Sequence, residues 1–472
     1  MPHHLERWTG LAGAAMLAGA AVLGGALPTS PLRSTPVSIW QGPDGPLVLT
    51  LWLVGTGLMA WAWWRLRDTV PSTRWALVTV GLWLLPLLVA PPLGSRDVYA
   101  YACQGASYAA GINPYEYGVS ALPCPWLDTI SYIWRDSPAP YGPLFVLISG
   151  LVVEAGGGSL TVTVALFRLV AVVGVVATAA CLPVLARRCG VPARRAVWLA
   201  LGSPLVAVHL VSGAHNDALM IALLVGGLAV VATRPGKPGL LLAGGLLLGL
   251  AAAIKVTALV VVPFAALAGI VGGYRLVALL RDGGPVVAGS LLGIVGSTLV
   301  AGLDFGWVGG LARGGDAIAW SSPPTAVGQT IGYLARLFGW HVDALPAARA
   351  VGAAVLVVLL VWLWWRARTR DALRYAGLAL AATVALAPVF HPWYWLWPLV
   401  VLAATAQRTR WFLVVALVSA FMVLPDGTGL PRFTKMPGAP LMTLLVIVVA
   451  VRVVRSARST RPAPAAVPDR SD

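Results

Sequence analysis

Four polar clusters stand at the ends of long apolar runs, and each has residue types that can do chemistry. Asp97, in Ser95-Arg96-Asp97, follows directly on the run that ends near residue 92. A carboxylate held there can act as a general base, taking the proton of an attacking hydroxyl. It can equally complement a helix dipole from the first turn, with Ser95 as N-cap. His215-Asn216-Asp217 lies at a second junction, between the runs 196–213 and 216–233. Those side chains suit a polar substrate and are also ordinary turn chemistry. Lys255 stands between 239–254 and 256–272 with almost no room for a loop. An ionisable residue inside membrane-like sequence is costly and by default a functional candidate; snorkelling to the interface is its plain alternative. His391 opens His391-Pro392-Trp393-Tyr394-Trp395. An interfacial aromatic belt accounts for the Trp and Tyr residues but not for the histidine, and the proline beside it suits chain that lines a cavity. No nucleotide-binding glycine pattern, zinc-ligand spacing or serine elbow is present, so neither a metal nor a cofactor is expected.

The elements that must position these residues are membrane helices. The chain has 472 residues, 58% of them hydrophobic and only 11% charged, with a mean hydropathy of +0.83. A soluble domain carries roughly a quarter charged residues, whereas a bilayer span needs about 20 apolar residues. Fourteen spans are expected, at 9–27, 47–64, 75–92, 160–186, 196–213, 216–233, 239–254, 256–272, 285–303, 346–365, 374–390, 394–407, 411–425 and 439–454. The first imitates a signal peptide but lacks a small-residue cleavage site, and is read as a span. The net charge of +16 invites a nucleic-acid reading. Its distribution answers it: with the N-terminus inside, most of the 33 basic residues fall on cytoplasmic segments and most of the 17 acidic ones outside. The charge is a topology signal, with no spare basic groove for nucleic acid. Both termini are thus expected in the cytoplasm and the chemistry on the outer face.

That assignment requires the short apolar segment 143–155 not to cross. Its 13 residues fit an interfacial or re-entrant helix, whereas a crossing would throw Arg187, Arg188, Arg194 and Arg195 outside. The expected organisation is one all-α transmembrane domain, 1–458, with long outer loops at 93–159 and 304–345 and a disordered cytoplasmic tail, 459–472. In the first loop a helix over 98–110 would put Asp97, Tyr101, Gln104 and Tyr108 on one stripe. Arg432 and Lys435 read as solvated loop cations. Cys103 and Cys124 share the outer, oxidising side, where they are either a disulfide or two buried thiols.

The blocks Ser95-Arg96-Asp97-Val98-Tyr99, Asn113-Pro114-Tyr115, Trp134-Arg135-Asp136, Pro140-Tyr141-Gly142-Pro143, His215-Asn216-Asp217 and His391-Pro392-Trp393-Tyr394 resemble the membrane glycosyltransferases of the GT-C fold. Within that fold they look like the actinobacterial polyprenol-phosphomannose-dependent α-1,6-mannosyltransferases of MptA/MptB type, over about residues 95–391. The resemblance implies a GT-C-like bundle whose outer loops carry interfacial helices. It implies mannosyl transfer from a β-linked polyprenyl-phosphomannose donor to a lipoglycan acceptor outside the membrane, giving an α-1,6 linkage of lipomannan type. Inversion at the sugar needs one base, and Asp97 matches the family's first-loop aspartate. Lys255, Arg96 and His391 are expected, in falling order, to stabilise the leaving phosphate. His215, Asn216 and Asp217 would contact sugar, and Tyr101, Gln104, Tyr141, Trp393 and Tyr394 complete the substrate site. Many relatives carry two adjacent acidic residues where this chain has Arg96-Asp97, which argues against a metal bridge. Two readings from other classes stand beside the enzyme: a lipid-linked-sugar flippase or transporter using the same cavity, and a scaffold that keeps the fold without the base. An outer Asp97 on a polar stripe favours the enzyme, since coupling carboxylates buried mid-span and repeated halves would mark a transporter.

Overall fold

Apolar runs cut by proline, serine and glycine become helices whose ends fall at those residues. In the computed structural model, which describes residues 3–32, 34–121, 124–313 and 317–459, Ser72, Ser159 and Ser322 each accept a backbone N–H of the helix they start. Proline fills the first turn of Gly45–Arg65, Pro143–Ala155, Pro238–Ala252 and Leu345–Ala367, where the missing N–H has no intrahelical partner to lose. The chain is all-helical, with no strand among the described residues. Such an architecture satisfies the backbone internally, as a bilayer demands. The expected tail, 459–472, lies outside the described residues except for Ser459.

Every segment expected to span falls on helix. Five helices are long and apolar enough to cross a membrane by themselves: Gly45–Arg65, Leu160–Arg188, Leu276–Ala301, Leu345–Ala367 and Lys435–Val453. A sixth results if Ala193–Leu201 and Val206–Ser212, bent by 68° at a short break, count as one span. His4–Gly24 is 21 residues long, and the remaining segments form shorter helices, two of which have an unwound start. The segment 256–272 starts as a 3₁₀ turn, Val256–Val261, before Val262–Ala268, and 394–407 starts as Pro392–Trp395 before Leu396–Thr405. The segment Pro143–Ala155 is the isolated 13-residue helix expected of it.

Glycine sets the tightest packing. Gly13 and Gly55 bring His4–Gly24 and Gly45–Arg65 together, and Gly245 and Gly249 seat Pro238–Ala252 on the Val286 and Ser290 backbone. Close backbone approach of this kind drives helix association in lipid, where burial of apolar surface cannot. Two buried indoles pair with each other's backbone: Trp63 donates to the Trp198 carbonyl at 3.1 Å and Trp198 returns the bond at 2.9 Å.

Two junctions fix the functional end. Arg168, buried on Leu160–Arg188, donates to the Ser212 carbonyl at 3.0 Å and to the Leu88 carbonyl at 3.0 Å. Ser212 Oγ accepts the Leu93 N–H at 3.1 Å. The turn carrying His215 is thereby docked on the segment that leads into Asp97. At the second junction Gly142 packs on Ala253, and the Gly142 and Leu144 N–H groups donate to the Ile254 and Ala253 carbonyls at 3.1 and 3.0 Å. These carbonyls are freed because Pro238–Ala252 stops just before Lys255. The contact sets Tyr141 beside Lys255.

Cys103 and Cys124 form a disulfide, with Cα atoms 5.5 Å apart and a sequence separation of 21. It ties the loop to the helix Asp97–Ala109. Closing such a loop removes about 3 kcal/mol of chain freedom from the unfolded state. Both thiols should therefore resist alkylation until the protein is reduced. Mass spectrometry finding them labelled without reductant would reject the bridge.

Candidate active site

Asp97 is the first residue of its helix, one position earlier than the expected start at 98, and its N–H donates to Ser95 Oγ at 3.1 Å. The dipole role and a chemical role thus coexist at one residue. Its carboxylate is 28% exposed and lines two cavities that meet there. The smaller, about 230 Å³, is bounded by Gln104, Tyr141, Lys255, Trp393, Tyr394 and Trp397 among others. The larger, about 470 Å³, is bounded by Arg96, Tyr132, Asp426, Arg432 and Lys435. Trp134 and His391 border both.

Behind Asp97 lies a line of polar groups. His215 Nδ1 is 3.5 Å from Asp97 and 3.7 Å from Asp217, too far for good hydrogen bonds. Lys255 Nζ contacts both Asp217 carboxylate oxygens, at 2.9 and 3.0 Å, and Trp397 donates its indole N–H to Asp217 at 2.6 Å. The ammonium also faces the rings of Tyr394 at 4.7 Å and Trp397 at 5.1 Å. Burial lifts the Asp97 carboxyl to about 6; the Lys255 charge offsets part of this and the Asp217 charge adds to it. Burial holds the His215 imidazole well below its usual value, helped by His209 and Lys255. Burial thus disfavours a charged imidazole, and the contacts of His215 with Asp97 and Asp217 are long.

An aromatic layer covers this line. Trp393 stacks on His391 at 4.7 Å between ring centroids and leans on His215 at 4.4 Å. Tyr394 stacks on Trp397 at 4.4 Å. Tyr141 lies edge-on to Tyr101 at 5.2 Å, and its carbonyl accepts the Tyr115 hydroxyl at 3.0 Å. The turn at Asn113, where the side chain accepts the Tyr115 N–H at 3.0 Å, supports that contact.

The residues singled out in the sequence thus converge, but not all at the cavity surface. Asp97, Arg96, Gln104, Tyr141, Lys255, His391, Trp393 and Tyr394 line it. Tyr101 is buried against Phe145 and Phe167 and works as packing under Tyr141. His215, Asn216 and Asp217 are buried behind Trp393 and Trp397 rather than presented to a sugar. Lys255 shares its charge with Asp217. Arg96 spends hydrogen bonds on the Ser30 and Thr129 carbonyls, at 2.9 and 3.2 Å, while its charge faces the larger cavity. Arg432 and Lys435, expected to be solvated, line that cavity too.

Two contributors escape the sequence reading. His209 sits inside an apolar run, 5.8 Å from His215 and 5.1 Å from Trp393 between ring centroids. The rule that flags intramembrane ionisable residues would have found it. Trp397 reads as one more belt tryptophan, and nothing in its spacing marks it as the donor to Asp217.

Residues 7–271 match the family described as alpha-(1->6)-mannopyranosyltransferase, N-terminal domain, and residues 324–454 match the MptB C-terminal domain. The chain is 33% identical over 445 residues to alpha-(1->6)-mannopyranosyltransferase A of Mycobacterium tuberculosis, an alignment covering 89% of this chain and 84% of that protein. It is 30% identical to alpha-(1->6)-mannopyranosyltransferase B of Corynebacterium glutamicum, over 90% of this chain and 77% of that one. No solved structure matches it. A helical membrane chain whose cavities meet at a single carboxylate, matched along most of its length by these enzymes, belongs to the alpha-(1->6)-mannopyranosyltransferase family of glycosyltransferases.

Proposed function

We propose that this protein transfers a mannosyl residue, with inversion, from polyprenyl-phosphomannose to a lipoglycan acceptor on the outer face of the membrane, extending or priming an α-1,6-mannan of lipomannan type. The observation that carries the reading is Asp97, a carboxylate raised toward neutrality where a cationic cavity meets an aromatic one. The acceptor hydroxyl attacks C1 of the mannose while Asp97 takes its proton. The C1–O bond to phosphate breaks, and its electron pair leaves on the polyprenyl phosphate. Attack opposite the leaving group turns the β-linked donor into an α-linked product.

The leaving phosphate gains charge as that bond breaks, and preorganised cations there lower the barrier. Arg96, Arg432 and Lys435 have charge to offer in the larger cavity; no ion pair engages Arg432 or Lys435 among the described residues. Lys255 becomes a positioning residue that holds Asp217, and through it His215, beneath the base. His391 and Trp393 wall the acceptor path, and Tyr141, Gln104 and Tyr394 offer the sugar hydroxyl and ring contacts. No metal is needed: the leaving group is a monophosphate that these side chains can neutralise.

Asp97→Asn keeps the size and capping ability of the side chain but not its basicity. The variant should bind polyprenyl-phosphomannose and transfer mannose at least about a hundredfold more slowly. In the wild type the rate should fall as pH drops through about 6, because protonation removes the base. Near-normal transfer by folded Asp97→Asn would remove Asp97 from the role; a flippase or a scaffold would be equally indifferent to the swap. Arg432→Gln and Lys435→Gln should each slow transfer about tenfold, as loss of one charge-assisted contact to the phosphate implies. Unchanged kinetics in both would move the phosphate elsewhere. For the topology, a reporter placed after Ser159 should read outside and one between Arg188 and Arg194 inside. Reversal of both would make Pro143–Ala155 a true span.

A further inference from the structure

A third recess, of about 430 Å³, lies at the far ends of the helices that carry the active site, with Arg188, Cys189, Tyr274, Arg368 and Arg370 on its wall. Asp217–Thr233 starts beneath Asp97 and reaches this recess at Ala232, about 22 Å away at 1.5 Å per residue. Ala372–Leu386 begins in the recess and ends at Ala387, which lines the aromatic cavity. The two sites therefore sit at opposite faces of the bundle.

Its charge is unspent. Arg188 and Arg370 make no side-chain hydrogen bond or ion pair among the described residues. Arg368 is held with its guanidinium 4.9 Å from the Tyr274 ring centroid, and its Nε donates to the Trp365 carbonyl at 3.2 Å. The one carboxylate on the wall, Asp371, caps the next helix by accepting the Leu373 and Arg374 N–H groups at 3.2 and 3.4 Å. Beside the recess the surface turns apolar: Val271, Leu276, Val277 and Trp365 are all more than half exposed. Three guanidiniums in a hollow between helices, next to an exposed apolar face, match an amphiphile with an anionic head.

We infer that this recess binds the phosphate headgroup of an anionic phospholipid from the leaflet opposite the active site, with the acyl chains lying on the face around Leu276 and Val277. A basic fringe at helix ends is expected of any membrane protein, and holds anionic lipid diffusely. What points to a site is that the three guanidiniums line one hollow, two of them, on Arg188 and Arg370, without a protein partner among the described residues and the third oriented by ring stacking. The inference rests on the chain spanning a membrane and not on the role of Asp97.

The test uses the full chain, purified in an uncharged detergent, with phosphatidylglycerol, phosphatidylcholine and inorganic phosphate as probes. Native mass spectrometry should find one phosphatidylglycerol retained per chain, and thermal stability should rise with phosphatidylglycerol but with neither other probe. Arg188→Gln combined with Arg370→Gln should weaken retention about tenfold or more, near what two interfacial charges are worth. Arg188→Lys with Arg370→Lys should restore most of it, which excludes misfolding as the cause. Arg74→Gln, an exposed cation outside the recess, should change nothing. Equal stabilisation by inorganic phosphate would make the ligand a free phosphate compound and overturn the lipid assignment. Equal losses from Arg74→Gln and the paired glutamine variant, or no loss from either, would show diffuse binding and overturn the site.

Discussion

The largely buried pair of Asp217 and Lys255 is the constraint around which the active-site end of the bundle is arranged. Two opposite charges in apolar surroundings are tolerable only when they meet with good geometry and their remaining hydrogen-bonding capacity is used. Here the ammonium lies within 3.0 Å of both carboxylate oxygens, and Trp397 supplies a further donor. Meeting that demand explains why the helices break where they do. Pro238–Ala252 must stop for Lys255 to turn toward Asp217, and Asp217 must stand in the first turn of its own helix. The freed carbonyls of Ala253 and Ile254 are taken by the start of the helix Pro143–Ala155. One electrostatic requirement thus places a helix end, a helix start and the short helix Pro143–Ala155 together, and the Asp97 helix packs on the last of these through Gly105.

From that arrangement follows a division of labour between charges. A cation already committed to a buried carboxylate has little left for a transient charge, whereas one facing a solvated cavity keeps its full response. Lys255 is of the first kind, and Arg432 and Lys435 are of the second. Asp97 sits between them. It is near enough to Lys255 to feel its charge and buried enough to lie near 6 rather than at an ordinary carboxylate value. A base that is mostly ionised near neutral pH, yet stronger than a solvated carboxylate, is what removal of a sugar hydroxyl proton asks for.

Much of this was legible in the sequence, for physical reasons. Asp97, Lys255 and His391 stand out because a charge or imidazole at the edge of an apolar run is rare unless something requires it. The helix Pro143–Ala155 was readable because 13 residues are too few to span. The pairing of Lys255 with Asp217, 38 residues away, was not. It depends on the 68° bend of the preceding broken helix and on where the unwound turns fall, and backbone breaks of that kind follow from tertiary contacts such as Arg168 to Ser212. Arg432 and Lys435 are exposed, as solvated loop cations should be, but that they line the larger cavity was not legible, because a loop has no periodicity to say which way it folds. Hydropathy runs also do not show where a polar helix start unwinds, as it does in the 3₁₀ turns Val256–Val261 and Pro392–Trp395.

Where the structure departs from sound local chemistry is also informative. Among the described residues, both ring nitrogens of His215, the Nδ1 of His209 and both polar atoms of the Asn216 side chain are buried without a hydrogen-bond partner. Ala214, beside them, has a positive φ of 51°. Buried polar groups are nearly always satisfied, and left-handed backbone at a non-glycine residue is strained. These five unpartnered atoms belong to His209, His215 and Asn216, directly under Trp393 and against the base, whereas the buried indoles of Trp63, Trp83 and Trp198 are all paired. A fold under no other demand would fill the turn of residues 213–216 with residues that satisfy one another. Its keeping a histidine between two carboxylates instead, at a cost in stability, is intelligible if the imidazole's bulk helps shut water away from Asp97, since burial is the main cause of that carboxyl's raised proton affinity.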